Sequence, residues 1–108
     1  MDTGAQVTCL QNKVFEQLKI PYLFLRSTIT NIAVANGSPL EVLGVINLNM
    51  DCHCYKVECQ GFKSVPFHVT KGLSEQVLLS NQHCQQLGLV TINEKQTFPT
   101  NPTDHLDH

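Results

Sequence analysis

Asn36-Gly37-Ser38-Pro39 sits between two β-prone arms, and nothing else in the chain constrains its fold as tightly. Asn-Gly readily takes the positive-φ pair that a tight hairpin turn demands, so it is the strongest short-range signal for two antiparallel strands. Before it, Thr28 to Ala35 (Thr-Ile-Thr-Asn-Ile-Ala-Val-Ala) reads as a strand. After it, Pro39 opens a return arm that continues through Leu40, Val42, Val45, Ile46 and Leu48, with Gly44 permitting a bend or bulge. Val57, Cys59, Phe62, Val65, Phe67 and Val69 predict further short strands around a Gln60-Gly61 turn. Val77-Leu78-Leu79 predicts a short buried strand, and Leu89 to Ile92 a last one.

Helical period is brief. Ala5 to Leu10 alternates as a strand does, and then Val14, Phe15, Leu18 and Ile20 fall at helical spacing. A short helix is expected over Asn12 to Leu18, with Asn12 as its cap and Pro21 as its stop. Ser80-Asn81-Gln82 offers a second cap, for a helix over His83 to Leu87 that ends at Gly88. Thr97 to His108 holds two Pro, three Thr, two Asp and two His and reads as a tail or linker. The expectation is one domain over residues 1–93 and a flexible tail over 94–108. Many short strands with one or two short helices make a mostly-β barrel or sandwich.

Composition narrows the function. Of 108 residues, 42% are hydrophobic and 15% charged, enough to bury a core. Two Tyr, five Phe and no Trp leave the packing to aliphatic side chains. A net charge of −2 without a basic stripe argues against a nucleic-acid surface, and no apolar run is long enough to cross a bilayer. The first residues do not read as a signal peptide, so a cytoplasmic setting with free thiols is expected. Cys52-His53-Cys54 with Cys59 invites a zinc reading, but neighbours on a strand point to opposite faces, so ordinary strand thiols are expected. His83-Cys84 makes a poor nucleophile pair for the matching reason on a helix. No metal or organic cofactor is implied.

The chemistry-bearing tripeptide is Asp2-Thr3-Gly4. It offers a carboxylate, a hydroxyl able to brace a loop, and a glycine that lets the backbone turn tightly. One carboxylate cannot both activate water and donate a proton. Two close carboxylates can, because like charges a few Å apart share one proton rather than both ionise. Asp51, Asp104 and Asp107 are not followed by Thr-Gly or Ser-Gly, so the chain holds a single such tripeptide.

Asp2-Thr3-Gly4-Ala5-Gln6-Val7 resembles the active-site loop of retropepsin-type aspartic proteases of retroviruses and long-terminal-repeat retrotransposons. Later segments resemble the family in the same order: Phe15-Glu16-Gln17-Leu18-Lys19-Ile20-Pro21, Val34-Ala35-Asn36-Gly37-Ser38-Pro39-Leu40, Leu43-Gly44, Val77-Leu78-Leu79 and Leu87-Gly88-Leu89. The resemblance implies a closed acid-protease barrel half with a flap hairpin, acting as a homodimeric endopeptidase on extended polypeptide or polyprotein. It implies Asp2, Thr3 and Gly4 as the catalytic loop, and Ala5, Val34, Asn36, Gly37, Ser38 and Leu40 as substrate-binding, with Ile32 a further pocket wall. The cytoplasm or a virus-like particle is the implied setting. Two departures temper this picture. The family's apolar strand before the Asp is absent here, as in an N-terminally truncated domain, and Ser80 stands where the family carries glycine. The alternative is a catalytically inactive module of the same fold that dimerises or binds peptide.

Overall fold

The computed structural model describes residues 7–29, 32–33, 37, 39–54, 58–80 and 88–102. The elements run β1 (Thr8–Gln11), α1 (Asn12–Gln17), a 3-10 turn (Tyr22–Phe24), β2 (Ile32–Ala33), β3 (Pro39–Cys54), β4 (Glu58–Lys71), β5 (Val77–Leu79), β6 (Gly88–Ile92) and β7 (Gln96–Pro102). The strands lie in the order β2-β3-β4-β1-β5-β7-β6, and a further β3–β6 pairing closes six of them into a barrel with β2 appended outside. The mostly-β, closed-barrel expectation is met at this level.

Closure is the work of β3. Its stretch from Glu41 to His53 pairs antiparallel with β4. Its last residues, Met50 to Cys54, also pair antiparallel with β6. One strand thus has neighbours on both sides, and the sheet has no open edge there. Register shifts at Val42/Gly44, Leu48/Met50 and Asp51/His53 mark the bulges that let so long a strand curve.

β1 is the seam. It runs parallel to β4, with Leu10 opposite Val69, and antiparallel to β5, with Cys9 opposite Leu78. Leu10 turns into the barrel core, where Phe15, Leu18, Met50, Phe67, Leu79 and Ile92 are also buried. Each such side chain contributes about 1.5–3 kcal/mol relative to exposure. Polar bonds tie the same seam: Thr70 Oγ1 donates to the Leu10 carbonyl at 3.5 Å, and Gln11 donates through Nε2 to the Leu73 carbonyl at 2.7 Å.

α1 has only six residues and would be marginal alone. Val14, Phe15 and Leu18 are fully buried against the barrel and hold it there. Two of its last carbonyls are met by the β6–β7 turn, as Gln96 Nε2 donates to Gln17 O and Lys95 Nζ to Leu18 O, both at 3.0 Å. The cap is Gln11 rather than Asn12, which is the first helical residue. Gln11 keeps extended geometry because its backbone N–H donates to Gln76 O at 3.0 Å.

Several expectations are corrected. Glu58 to Lys71 is a single strand, with no turn at Gln60-Gly61, because Gly61 pairs with Asp51 across the hairpin. A Cβ on Gly61 would run into the Asp51 carboxylate. Among the described residues β2 is Ile32–Ala33, and Thr28 and Ile29 lie outside it, while 30–31 and 34–35 of the expected strand lie outside the described residues. The barrel does not stop at residue 93. Gln96–Pro102 forms β7, antiparallel to β6 and parallel to β5, with Phe98 and Thr100 buried. The expected His83–Leu87 helix lies outside the described residues.

Gly44 is required by packing. Leu25-Arg26 crosses β3 there, with Arg26 N donating to Val45 O at 2.8 Å and Val45 N to Arg26 O at 2.9 Å. A Cβ on Gly44 would stand 2.7 Å from Leu25 Cβ and 2.9 Å from the Arg26 carbonyl oxygen. Gly44→Ala is therefore expected to cost about 1–3 kcal/mol, seen as a lower urea midpoint with an unchanged slope. An unchanged midpoint would show that the crossing gives way freely.

Candidate functional site

Asp2, Thr3, Gly4 and Ala5 lie outside the described residues, as do Val34, Asn36 and Ser38. The structure does place the strand that continues from that loop, and the parts of the hairpin that flank its tip. β2 and β3 pair antiparallel, Ile32 with Leu40 and Ala33 with Pro39, on either side of Asn36-Gly37. Gly37 is exposed with φ +88°, a value that favours glycine, and a Cβ there would meet nothing within 4 Å.

Alternation along β1 sorts its side chains. Leu10 enters the barrel, and Cys9 turns outward into a second apolar cluster. Cys9, Ile32, Leu73 and Leu78 are buried there, and Val7, Leu40 and Val42 pack against them. Three parts of the chain meet in this cluster: the strand after Asp2-Thr3-Gly4, both hairpin arms, and the segment Leu73 to Leu78. Ile32 and Leu40, expected as pocket walls, pack here inside the fold, Ile32 buried and Leu40 half-buried. Cys9, Leu73 and Leu78 were not expected. Period-two alternation from the buried Leu10 would have found Cys9, whereas Leu73 sits in a loop with no period to read.

The thiol in this cluster is inert by environment. Burial pushes the Cys9 pKa up to about 12, so it stays protonated at neutral pH and behaves as a small apolar group. Cys52 is likewise buried, in the barrel core, while His53 beside it is exposed. Among the described residues no three His, Cys, Asp or Glu side chains gather as a metal site.

The expected glycine position is occupied without backbone strain. Ser80 is buried, its N–H donates to Thr8 Oγ1 at 3.1 Å, and it is not among the described non-glycine residues with positive φ. The strand leaving Asp2-Thr3-Gly4 is thus fastened to the end of β5.

His68 backs the same seam from β4, opposite Cys9, and is 7% exposed. Its Nδ1 is buried without a hydrogen-bond partner among the described residues. Burial lowers its pKa, and a hydrogen bond with the Thr8 backbone offsets part of that. No protein family, curated protein or solved structure matches the chain.

The lowered pKa of His68 sets a pH dependence. The unfolded chain takes up the imidazole proton near the ordinary value of about 6.5, and the folded chain only at lower pH. Between those two values the unfolded state binds more protons, so stability rises with pH. His68's contribution is complete above about pH 6.5 and is lost as pH falls below it. Urea unfolding from pH 8 to pH 5 should show this decline, and His68→Gln should flatten it. An equal slope in both proteins would remove His68 as the cause.

Proposed function

We propose that the chain is an aspartic endopeptidase domain acting as a homodimer. Asp2 of each copy supplies one carboxylate of the pair. One member takes a proton from water as the water attacks the peptide carbonyl, and the other gives a proton to the developing tetrahedral species. The two titrate as a coupled pair rather than as separate acids. Thr3 braces the loop and Gly4 permits its turn. The hairpin around Gly37 would close over an extended peptide and keep bulk water from the reacting bond.

The reading is carried by one observation: the strand issuing from Asp2-Thr3-Gly4 is the barrel's buried seam. β1 is flanked on both sides, by β4 and β5, so Asp2-Thr3-Gly4 precedes a strand held at both edges. The outward cluster of Cys9, Leu78, Ile32 and Leu40 supports it further, because its apolar packing joins that strand to both hairpin arms. A symmetric pair of copies accounts for one Asp-Thr-Gly doing the work of two.

The test is cleavage of an unstructured polypeptide, followed by mass spectrometry. The native chain should cut internal bonds, a statine-type transition-state mimic should block it, and Asp2→Asn should reduce the rate by at least about a thousandfold. Equal cleavage by the Asn variant would exclude the Asp2 mechanism. A folded dimer that binds peptide but never cuts would leave the non-catalytic module standing instead.

A further inference from the structure

A groove of about 670 Å³ lies away from the β1 seam, between the segment after α1, the middle of β3 and the β6–β7 turn. Its walls combine Phe24, Ile46 and Leu48 with three cations, Lys19, Arg26 and Lys95. Among the described residues no carboxylate lines it. That concentration of positive charge stands out on a chain whose net charge is −2. Nearby acids are turned elsewhere. Glu16 accepts a hydrogen bond from the Tyr22 hydroxyl at 2.6 Å, and Glu94 lines a separate, smaller cavity with Asp51 and Lys63.

The groove is built rather than incidental. Lys95 is anchored on Leu18 O, Arg26 donates through its guanidinium to Asn47 Oδ1, and Asn93 N donates to Asn49 O at 2.7 Å. Lys19 and Asn93, both on its walls, hold positive φ of 61° and 53°. Such backbone costs on the order of 1 kcal/mol for a lysine and persists only where the surroundings hold it. The Arg26 fork keeps further N–H donors beyond the one given to Asn47, in a geometry that suits a carboxylate. At the rim the 3-10 turn leaves Leu23 83% and Phe24 60% exposed, an apolar extension of the groove onto the surface.

We propose that this groove docks an acidic peptide segment of a partner protein, one in which carboxylates alternate with bulky apolar side chains. Its carboxylates meet Lys19, Arg26 and Lys95, and its apolar side chains lie on Phe24, Ile46 and Leu48. The charge complementarity selects an anionic occupant, and the open, apolar rim selects a segment that runs beyond the groove over a compact small ion. This proposal is independent of the Asp2 chemistry.

Fluorescence anisotropy with a labelled Glu-Leu-Asp-Phe-Glu peptide tests it, against the same peptide with lysine at its three acidic positions. The acidic peptide should bind at least about tenfold more tightly, and its affinity should fall as salt rises from about 50 to about 300 mM. The double variant Lys19→Glu, Phe24→Ser changes exposed side chains. It should lose at least about tenfold in affinity with an unchanged thermal melt, and Lys19→Arg should retain binding. Equal affinity for the acidic and lysine peptides would overturn the proposal, as would full binding by the double variant. Self-association of the chain that the peptide competes away, seen by sedimentation, would also overturn it by making a second copy the occupant.

Discussion

The insertion of a four-residue strand between a parallel and an antiparallel neighbour is the constraint on which this structure depends. β1 contributes Leu10 to the barrel and Cys9 to the outer cluster, so both apolar assemblies share it. Its hydrogen bonds to β4 and β5 can form only when the chain from α1 through β3 has returned to bring β4 alongside. The strand nearest the N-terminus in the barrel is therefore held by segments about sixty to seventy residues later in sequence, such as His68 and Leu78. Non-local pairing of this kind is costly in loop entropy and is recovered only when the whole core packs.

Much of the architecture was legible in sequence where local signals agree with the final packing. The α1 segment shows helical spacing at Val14, Phe15 and Leu18, and those are the residues it buries. β2 pairs with β3 on either side of Asn36-Gly37, and Gly44 marks a bulge because Leu25-Arg26 passes too close for a side chain. Failure came where a local signal was overridden from a distance. Gln60-Gly61 looks like a turn but lies within β4, where Gly61 leaves room for Asp51. Pro99 and Pro102 argue against a strand in isolation. β7 nevertheless forms, because Phe98 and Thr100 point inward, Pro99 is exposed, and Thr100 Oγ1 donates to Val77 O at 3.3 Å. No local pattern could announce that partnership.

The candidate site divides in the same way. That Ile32 and Leu40 come together was foreseeable, because they stand opposite one another on paired strands. Cys9 and Leu78 meet only because β1 and β5 pair, which is a property of the closed barrel. Ser80, where the family carries glycine, has its backbone N–H bonded to Thr8 Oγ1 and needs no positive φ. The result is a strand after Asp2-Thr3-Gly4 that is paired on both edges, and a buried apolar cluster that joins it to β2 and β3. That is what a peptide hydrolase of two identical halves would need from each half.

The central claim is that one active site uses an Asp2 from each of two copies. Mixing native and Asp2→Asn chains, refolded together at varied ratio with total protein constant, tests it directly. If both carboxylates are required, peptide-cleaving activity will fall as the square of the native fraction. Activity that falls only in proportion to the native fraction would show that a single copy is sufficient and would contradict the shared site.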